Sequence, residues 1–102
     1  MEEKENYVNL ILSAYYGVLE IDEYELKTYV LKDIENHLNN YINHYNLQID
    51  LEELKKKAKD IPEKVKLQDS LIILNTINAP MELKIIIKRK IAKPVKKKKN
   101  ER

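Results

Sequence analysis

Residues 70–92 read "SLIILNTINAPMELKIIIKRKIA", and the fold class turns on whether this stretch is strand or helix. Isoleucines crowd it, and "SLIILNTI" at 70–77 is short, apolar and rich in β-branched residues, as a buried strand would be. "NAP" at 78–80 reads as a turn. Beyond it, Leu83, Ile85, Ile87 and Ile91 fall on one face of an extended chain, with Lys84, Ile86, Lys88 and Lys90 on the other. This alternation predicts an antiparallel β-hairpin. A weaker alternation in "KVKLQ" at 64–68 would extend it to a three-stranded meander beginning at Val65.

The pattern upstream is helical. Tyr7, Leu10, Ile11, Ala14, Tyr15 and Val18 recur at the spacing of one buried helix stripe, predicting a helix from about Glu3 to Tyr16. Gly17, the only glycine, stands where a left-handed C-cap is expected. Asp22 and Glu25 form a capping-box-like pair, so a second helix is expected from about Glu23 to Tyr45. It would be roughly 35 Å long at ~1.5 Å per residue. The two helices should form an antiparallel hairpin. Asp50 and Glu53 repeat the capping pattern ahead of a short third helix in "DLEELKKKAKD", which Pro62 interrupts. The expected architecture is therefore α+β: a helical hairpin and short third helix, then an antiparallel sheet. Residues 1–94 make a single domain. Pro94 ends strand pairing and releases a flexible basic tail over 95–102.

Composition narrows the function classes. The 102 residues include no cysteine, which excludes disulfides and thiolate metal sites. The acidic start "MEEKENY" is wrong for a signal peptide, and the longest apolar run, Leu71–Leu74, is far too short to span a bilayer. A cytoplasmic, non-secreted protein is expected. Charge is strongly segregated: residues 1–80 hold nine lysines against fifteen carboxylates, net −6, and residues 81–102 hold ten Lys or Arg against two Glu, net +8. Such separation points to a partner of opposite sign to the basic segment.

Ile, Lys, Asn and Tyr are heavily used, whereas Phe and Trp are absent. In this overall texture the chain resembles small orphan proteins of filamentous viruses that infect hyperthermophilic archaea. The resemblance implies a viral protein in a host cytoplasm and, resting on no motif, assigns no site residue. Abundant Lys and Glu without Cys fit a hot environment, whereas ten asparagines do not.

No pattern announces catalysis, and neither a metal nor a cofactor is expected. His37 and His44 are seven apart, whereas a helical zinc pair needs a spacing of four. Glu20, Asp22, Glu23 and Glu25, like Glu52 and Glu53, sit at predicted helix starts, where capping and the helix dipole account for them. Asn36, Asn39, Asn40 and Asn43 could read base edges, but only Lys32 lies near enough to hold a phosphate. Tyr24 and Tyr29 fall outside the core stripes and are better placed for a protein interface than for base stacking, given their acidic surroundings.

The remaining feature is the basic end. Lys84, Lys88 and Lys90 on one strand face, Arg89 on the other, and Lys93, Lys96, Lys97, Lys98 and Lys99 beyond them are candidate phosphate contacts. The expected function is non-enzymatic, salt-sensitive nucleic-acid binding through hairpin and tail. A winged helix fits less well, because the second helix is too long and the third is capped by acids. The alternative is a protein-interaction module whose basic segment docks on an acidic surface, including that of a second copy. Apolar excess on the second helix and on both faces of the expected sheet points to a homodimer, with Tyr24, Tyr29, Ile72, Leu74 and Ile86 as candidate interface residues.

Overall fold

The computed structural model describes residues 2–93. These form five α-helices: α1 (Glu2–Leu19), α2 (Lys27–Tyr45), α3 (Leu51–Lys59), α4 (Glu63–Thr76) and α5 (Met81–Ala92). No strand occurs among the described residues, so the fold is all-helical, not α+β, and the expected hairpin or meander is replaced by α4 and α5. Residues 95–102, the expected tail, lie outside the described residues.

The C-terminal stretch is helical because its apolar positions satisfy a 3.6-residue period against a core. Leu67, Ser70, Ile73 and Leu74 of α4 are buried, with Ile77 beside them. In α5, Leu83 and Ile87 are fully buried, and Ile91 continues their line at the next turn. The prolines start these helices instead of breaking them. Pro62 and Pro80 occupy the N-cap positions with φ of −56° and −57°, and Glu63 and Glu82 follow in the first turns, near the positive dipole end.

Asparagine, not glycine, closes α2 and α4. Asn46 and Asn78 adopt left-handed φ of 50° and 57°. Leu47 N–H then reaches the Ile42 carbonyl at 3.0 Å, and Ala79 N–H reaches Leu74 at 2.9 Å, the same six-residue closure in both places. Asp50 caps α3 as expected, accepting from Glu53 N–H at 3.2 Å. The Asp22–Glu25 signal does not start α2. That helix begins four residues later than predicted, after Leu26, with no side-chain cap.

Gly17 lies inside α1, two residues before its end, and is there for proximity. A Cβ at this position would stand 2.6 Å from the Lys66 carbonyl oxygen and would overlap Ser70 Oγ. The Ser70 hydroxyl, with one proton, is within reach of two carbonyls, Ala14 across the interface at 3.0 Å and Lys66 in its own helix at 2.8 Å. Small residues thus let the α1 and α4 backbones nearly touch, and α1 packs against α4, α2 and α3 as the central helix. Its Val8, Ile11, Ala14 and Val18 are fully buried.

Side-chain contacts fix the helix directions. Tyr7 meets His37 and Tyr41, and Lys4 sits over Tyr45, so α2 runs antiparallel to α1. Lys59 at the end of α3 lies over Tyr16, so α3 runs with α1. Lys66 near the start of α4 meets Glu20, and Lys90 near the end of α5 meets Glu23. Helices α1, α3 and α5 therefore point one way, with α2 and α4 returning. Among the described residues no helix is long and apolar enough to cross a membrane.

Candidate nucleic-acid interface

This alternation gathers the basic last turns of α3 and α5 at one end of the bundle, which they share with Asp60, Glu63 and the carboxylates of the α1–α2 loop. The C-termini of α1, α3 and α5 share one end, where the basic last turns of α3 (Lys56, Lys57 and Lys59) and α5 (Arg89 and Lys90) and then Lys93 stand, with Lys57 also bordering a hollow lined by Glu5, Asp50 and Glu53. Lys64, in the first turn of α4, joins them. Glu3 and Glu5 of α1, Glu52 and Glu53 of α3, and Glu82 of α5 belong to the N-terminal turns at the opposite end. Cations near helix C-termini are stabilised by ~0.3–1 kcal/mol each, so the fold itself favours this arrangement.

The basic end is anchored to the acidic α1–α2 loop by lysines from three helices. Lys66 is 5 % exposed and donates to Glu20 Oε2 at 2.6 Å, with the Lys59 carbonyl at 3.4 Å. Lys90 lies 3.1 Å from Glu23 and, chiefly by hydrogen bonding to it, holds that carboxyl below the ordinary glutamate range. Lys27 donates to the Leu19 carbonyl at 2.9 Å and stands 3.8 Å from Asp22. These carboxylates, read in sequence as helix-start residues, in fact hold α2, α4 and α5 to the end of α1.

The predicted phosphate contacts divide accordingly. The expected strand face of Lys84, Lys88 and Lys90 does not exist, because helical rotation turns Lys90 away from Lys84 and Lys88, which stay neighbours four residues apart. Lys88 and Arg89 are exposed on the outer side of α5, Lys93 is exposed at its C-cap, and Lys84 is half-buried on its flank. Lys90 turns inward to Glu23. Lys96, Lys97, Lys98 and Lys99 lie outside the described residues. Sequence reasoning missed Lys56, Lys57, Lys59 and Lys64 as members of the same surface. Their place at the same end of the bundle follows from helix direction, for which a linear sequence carries no local signal.

The candidate interface residues also separate. Leu74 is fully buried and Tyr24 is 8 % exposed, so both belong to the core. The Tyr24 hydroxyl and Ser13 Oγ are buried without hydrogen-bond partners among the described residues. Ile86 is half-buried against the core, whereas Tyr29 and Ile72 are exposed. With no sheet in the described residues, the expectation of a dimer sharing a sheet loses its basis. His37 bonds the Tyr7 hydroxyl at 2.9 Å, a structural contact between α1 and α2.

Asp69 of α4 has its carboxyl pushed above the usual aspartate value by burial. The Ser13 hydroxyl pulls the other way without completing a hydrogen bond of good geometry. Among the described residues no group of three or more His, Cys, Asp or Glu could hold a metal ion. No protein-family model, curated protein or solved structure matches the chain.

Proposed function

We propose that this chain is a non-enzymatic nucleic-acid-binding protein that grips phosphates with the basic end of its bundle and the Lys-rich segment that follows. The supporting observation is that α3 and α5 point the same way, which puts their basic C-terminal turns at one end of the bundle. Exposed Lys56, Lys57 and Lys59 share an end with Arg89 and Lys93, directly before a sequence containing five more Lys or Arg. Internal pairing absorbs Lys66 and Lys90 but leaves these side chains turned to solvent. Such contacts are independent of base sequence and weaken as salt displaces the counterion-release gain. We place this activity in the cytoplasm, and in a host cell on the strength of the residue palette's viral resemblance.

The test compares the full chain, a chain ending at residue 94 and the full-length double variant Lys88→Glu/Arg89→Glu on random duplex and single-stranded oligonucleotides. For about six phosphate contacts, affinity should fall by ~10³ between 50 and 200 mM salt. Both altered chains should bind more weakly, with a shallower salt slope. Absence of binding by the full chain, or equal binding by all three, refutes the proposal.

A second reading, association with another protein, is favoured by one observation. Val65 and Ile72, seven residues apart on the solvent side of α4, are 41 % and 50 % exposed. Ile72→Lys with a light-scattering mass measurement separates the two: an oligomer that this change dissociates supports the second reading.

A further inference from the structure

A groove of about 260 Å³ runs between α2 and α3, with α1 as its floor. Leu12, Ile34, Leu38 and Leu51 make its interior apolar. Tyr15 and Tyr16 line it with their rings edge to face, 5.5 Å apart at 84°. The polar groups at its rim are asymmetric. The α2 side presents Glu35 and Asn39, and the α3 side presents Lys55, with Lys59 one turn on and 5.9 Å above the Tyr16 ring.

Among the described residues, the side chains of Tyr15, Tyr16, Glu35 and Asn39 form no hydrogen bond or ion pair that would use them up. Lys55 has only a loose, exposed partner in Glu52 at 3.8 Å. A concave slot with an apolar floor and a rim of unspent polar groups is a usual form of ligand site. Burial and, after it, the nearby Glu35 carboxylate raise the Tyr15 hydroxyl's pKa.

The occupant must match this asymmetry. It needs a flat or apolar body for the tyrosine-lined interior, a hydrogen-bonding edge for Asn39 and Glu35, and an anion on the α3 side only. The Glu35 carboxylate repels an anion from the other wall. A nucleotide meets all three conditions. Its base can stack on tyrosine, its edge can pair with an amide and a carboxylate, and its phosphate can meet lysine. The lysines of α3 also lead from this groove to the basic end, so a strand seated here continues onto the surface described above.

We propose that the α1–α2–α3 groove holds one unstacked base of a single strand against Tyr15 and Tyr16, with its edge on Asn39 and Glu35 and its phosphate on Lys55 and Lys59. The inference rests on the nucleic-acid reading and sharpens it to single strands over duplex, because a base inside a duplex cannot enter the slot. It also sets a base preference. A carboxylate accepts from the exocyclic amine of cytosine, adenine or guanine, whereas thymine and uracil offer it one N–H flanked by two repelling carbonyl oxygens.

The experiment has two arms. In the first, oligo(dC), oligo(dT) and duplex of equal length are titrated with the wild-type chain, Tyr16→Leu and Glu35→Gln, each first verified as folded by its melting curve. The wild type should prefer oligo(dC) to oligo(dT), and Glu35→Gln should erase that difference. Tyr16→Leu should weaken single-strand binding about tenfold, within the range of one lost stacking contact, and leave duplex binding unchanged. Equal affinities for oligo(dC) and oligo(dT) with no effect of either variant overturn the groove assignment and leave the basic-end reading standing. In the second arm, cytidine 5′-monophosphate is titrated and followed by NMR. Shifts at Tyr15, Tyr16 and Asn39 are expected, and their absence overturns the assignment whatever the strands do. Groove shifts with no binding of any strand overturn the single-strand assignment together with the nucleic-acid reading, and leave only a site for a free nucleotide.

Discussion

Replacing Gly17 with alanine tests the packing of α1 on α4. The added Cβ would stand 2.6 Å from the Lys66 carbonyl oxygen and 2.9 Å from its carbonyl carbon, and would overlap Ser70 Oγ. Ordinary Cβ contacts begin at 3.4 Å, so α4 must withdraw by about 0.8 Å, and the obstacle is backbone that cannot rotate aside. Overpacking of this kind costs about 1–3 kcal/mol. Disturbing the Ser70 hydrogen bonds adds about 1 kcal/mol, and the better helix propensity of alanine returns a similar amount. The net expectation is a loss of about 2 kcal/mol, which lowers Tm by about 10 °C for a domain of this size. Thermal and urea unfolding followed by far-UV circular dichroism would measure it. A second variant, Gly17→Asn, separates the alternatives. A left-handed cap would accept asparagine better than alanine, whereas a close helix crossing should reject it more strongly. The close-approach argument is refuted if Gly17→Ala is as stable as the parent or more stable.

Two further expectations concern buried charge. Glu20→Gln should destabilise the fold more than Lys66→Met, because the first strands a buried ammonium and the second leaves a half-exposed carboxylate that water can solvate. With Glu20 partly screened, the cost of its loss should be about 1–2 kcal/mol, and equal melting temperatures for the two variants would contradict the asymmetry. Asp69→Asn should raise Tm at neutral pH, since burial lifts the Asp69 pKa and the ionised form opposes folding. The sign for an acid with a raised folded pKa is that its penalty grows as pH rises from the unfolded value through the folded one. The gain should therefore shrink as pH falls to the ordinary aspartate range. A constant or growing gain on acidification, in melts from pH 7 to pH 3, would show that burial of this carboxyl is not the cause.

The sequence was most informative where one period alone fitted. Ile11, Ala14 and Val18 of the expected α1 stripe and the cap at Asp50 could be read directly because local chemistry decides them. Val8, fully buried, lay outside that stripe, and Tyr7, Leu10 and Tyr15 within it are only partly buried. In the C-terminal third two periods compete. Leu83, Ile87 and Ile91, four residues apart, fit a helix face and an alternating strand equally well, and Ile85 is the residue that discriminates. It is 40 % exposed, as a helix requires. β-Branched side chains favour strands only weakly, and the core offered by α1 outweighs that preference. Asn46 was a helix stop hidden among many asparagines, Pro62 a start read as an interruption, and "NAP" at 78–80 is a turn as expected but joins two helices instead of two strands. Lys88, Arg89 and Lys93 were recognisable as exposed cations in the basic segment. Their neighbours Lys56, Lys57 and Lys59, and the groove between α2 and α3, depend on helix direction and could not be read from spacing.

The close crossing of α1 and α4 also bears on how the molecule comes into being. Ser70 reaches back 56 residues to Ala14, and Lys66 reaches back 46 to Glu20. As the chain leaves the ribosome, α1, α2 and α3 emerge while the Ala14–Gly17 side of α1 still faces water. Helix α4 must follow before that side can close. Bridging such a span adds little to the entropy cost, which grows only logarithmically with length, but it delays the contacts that reward it. The stretch at 63–92 is thus a latch as well as a sequence-reading problem. Until it arrives, one side of the central helix has nothing to pack against, and folding cannot be completed before residues 63–92 have been made.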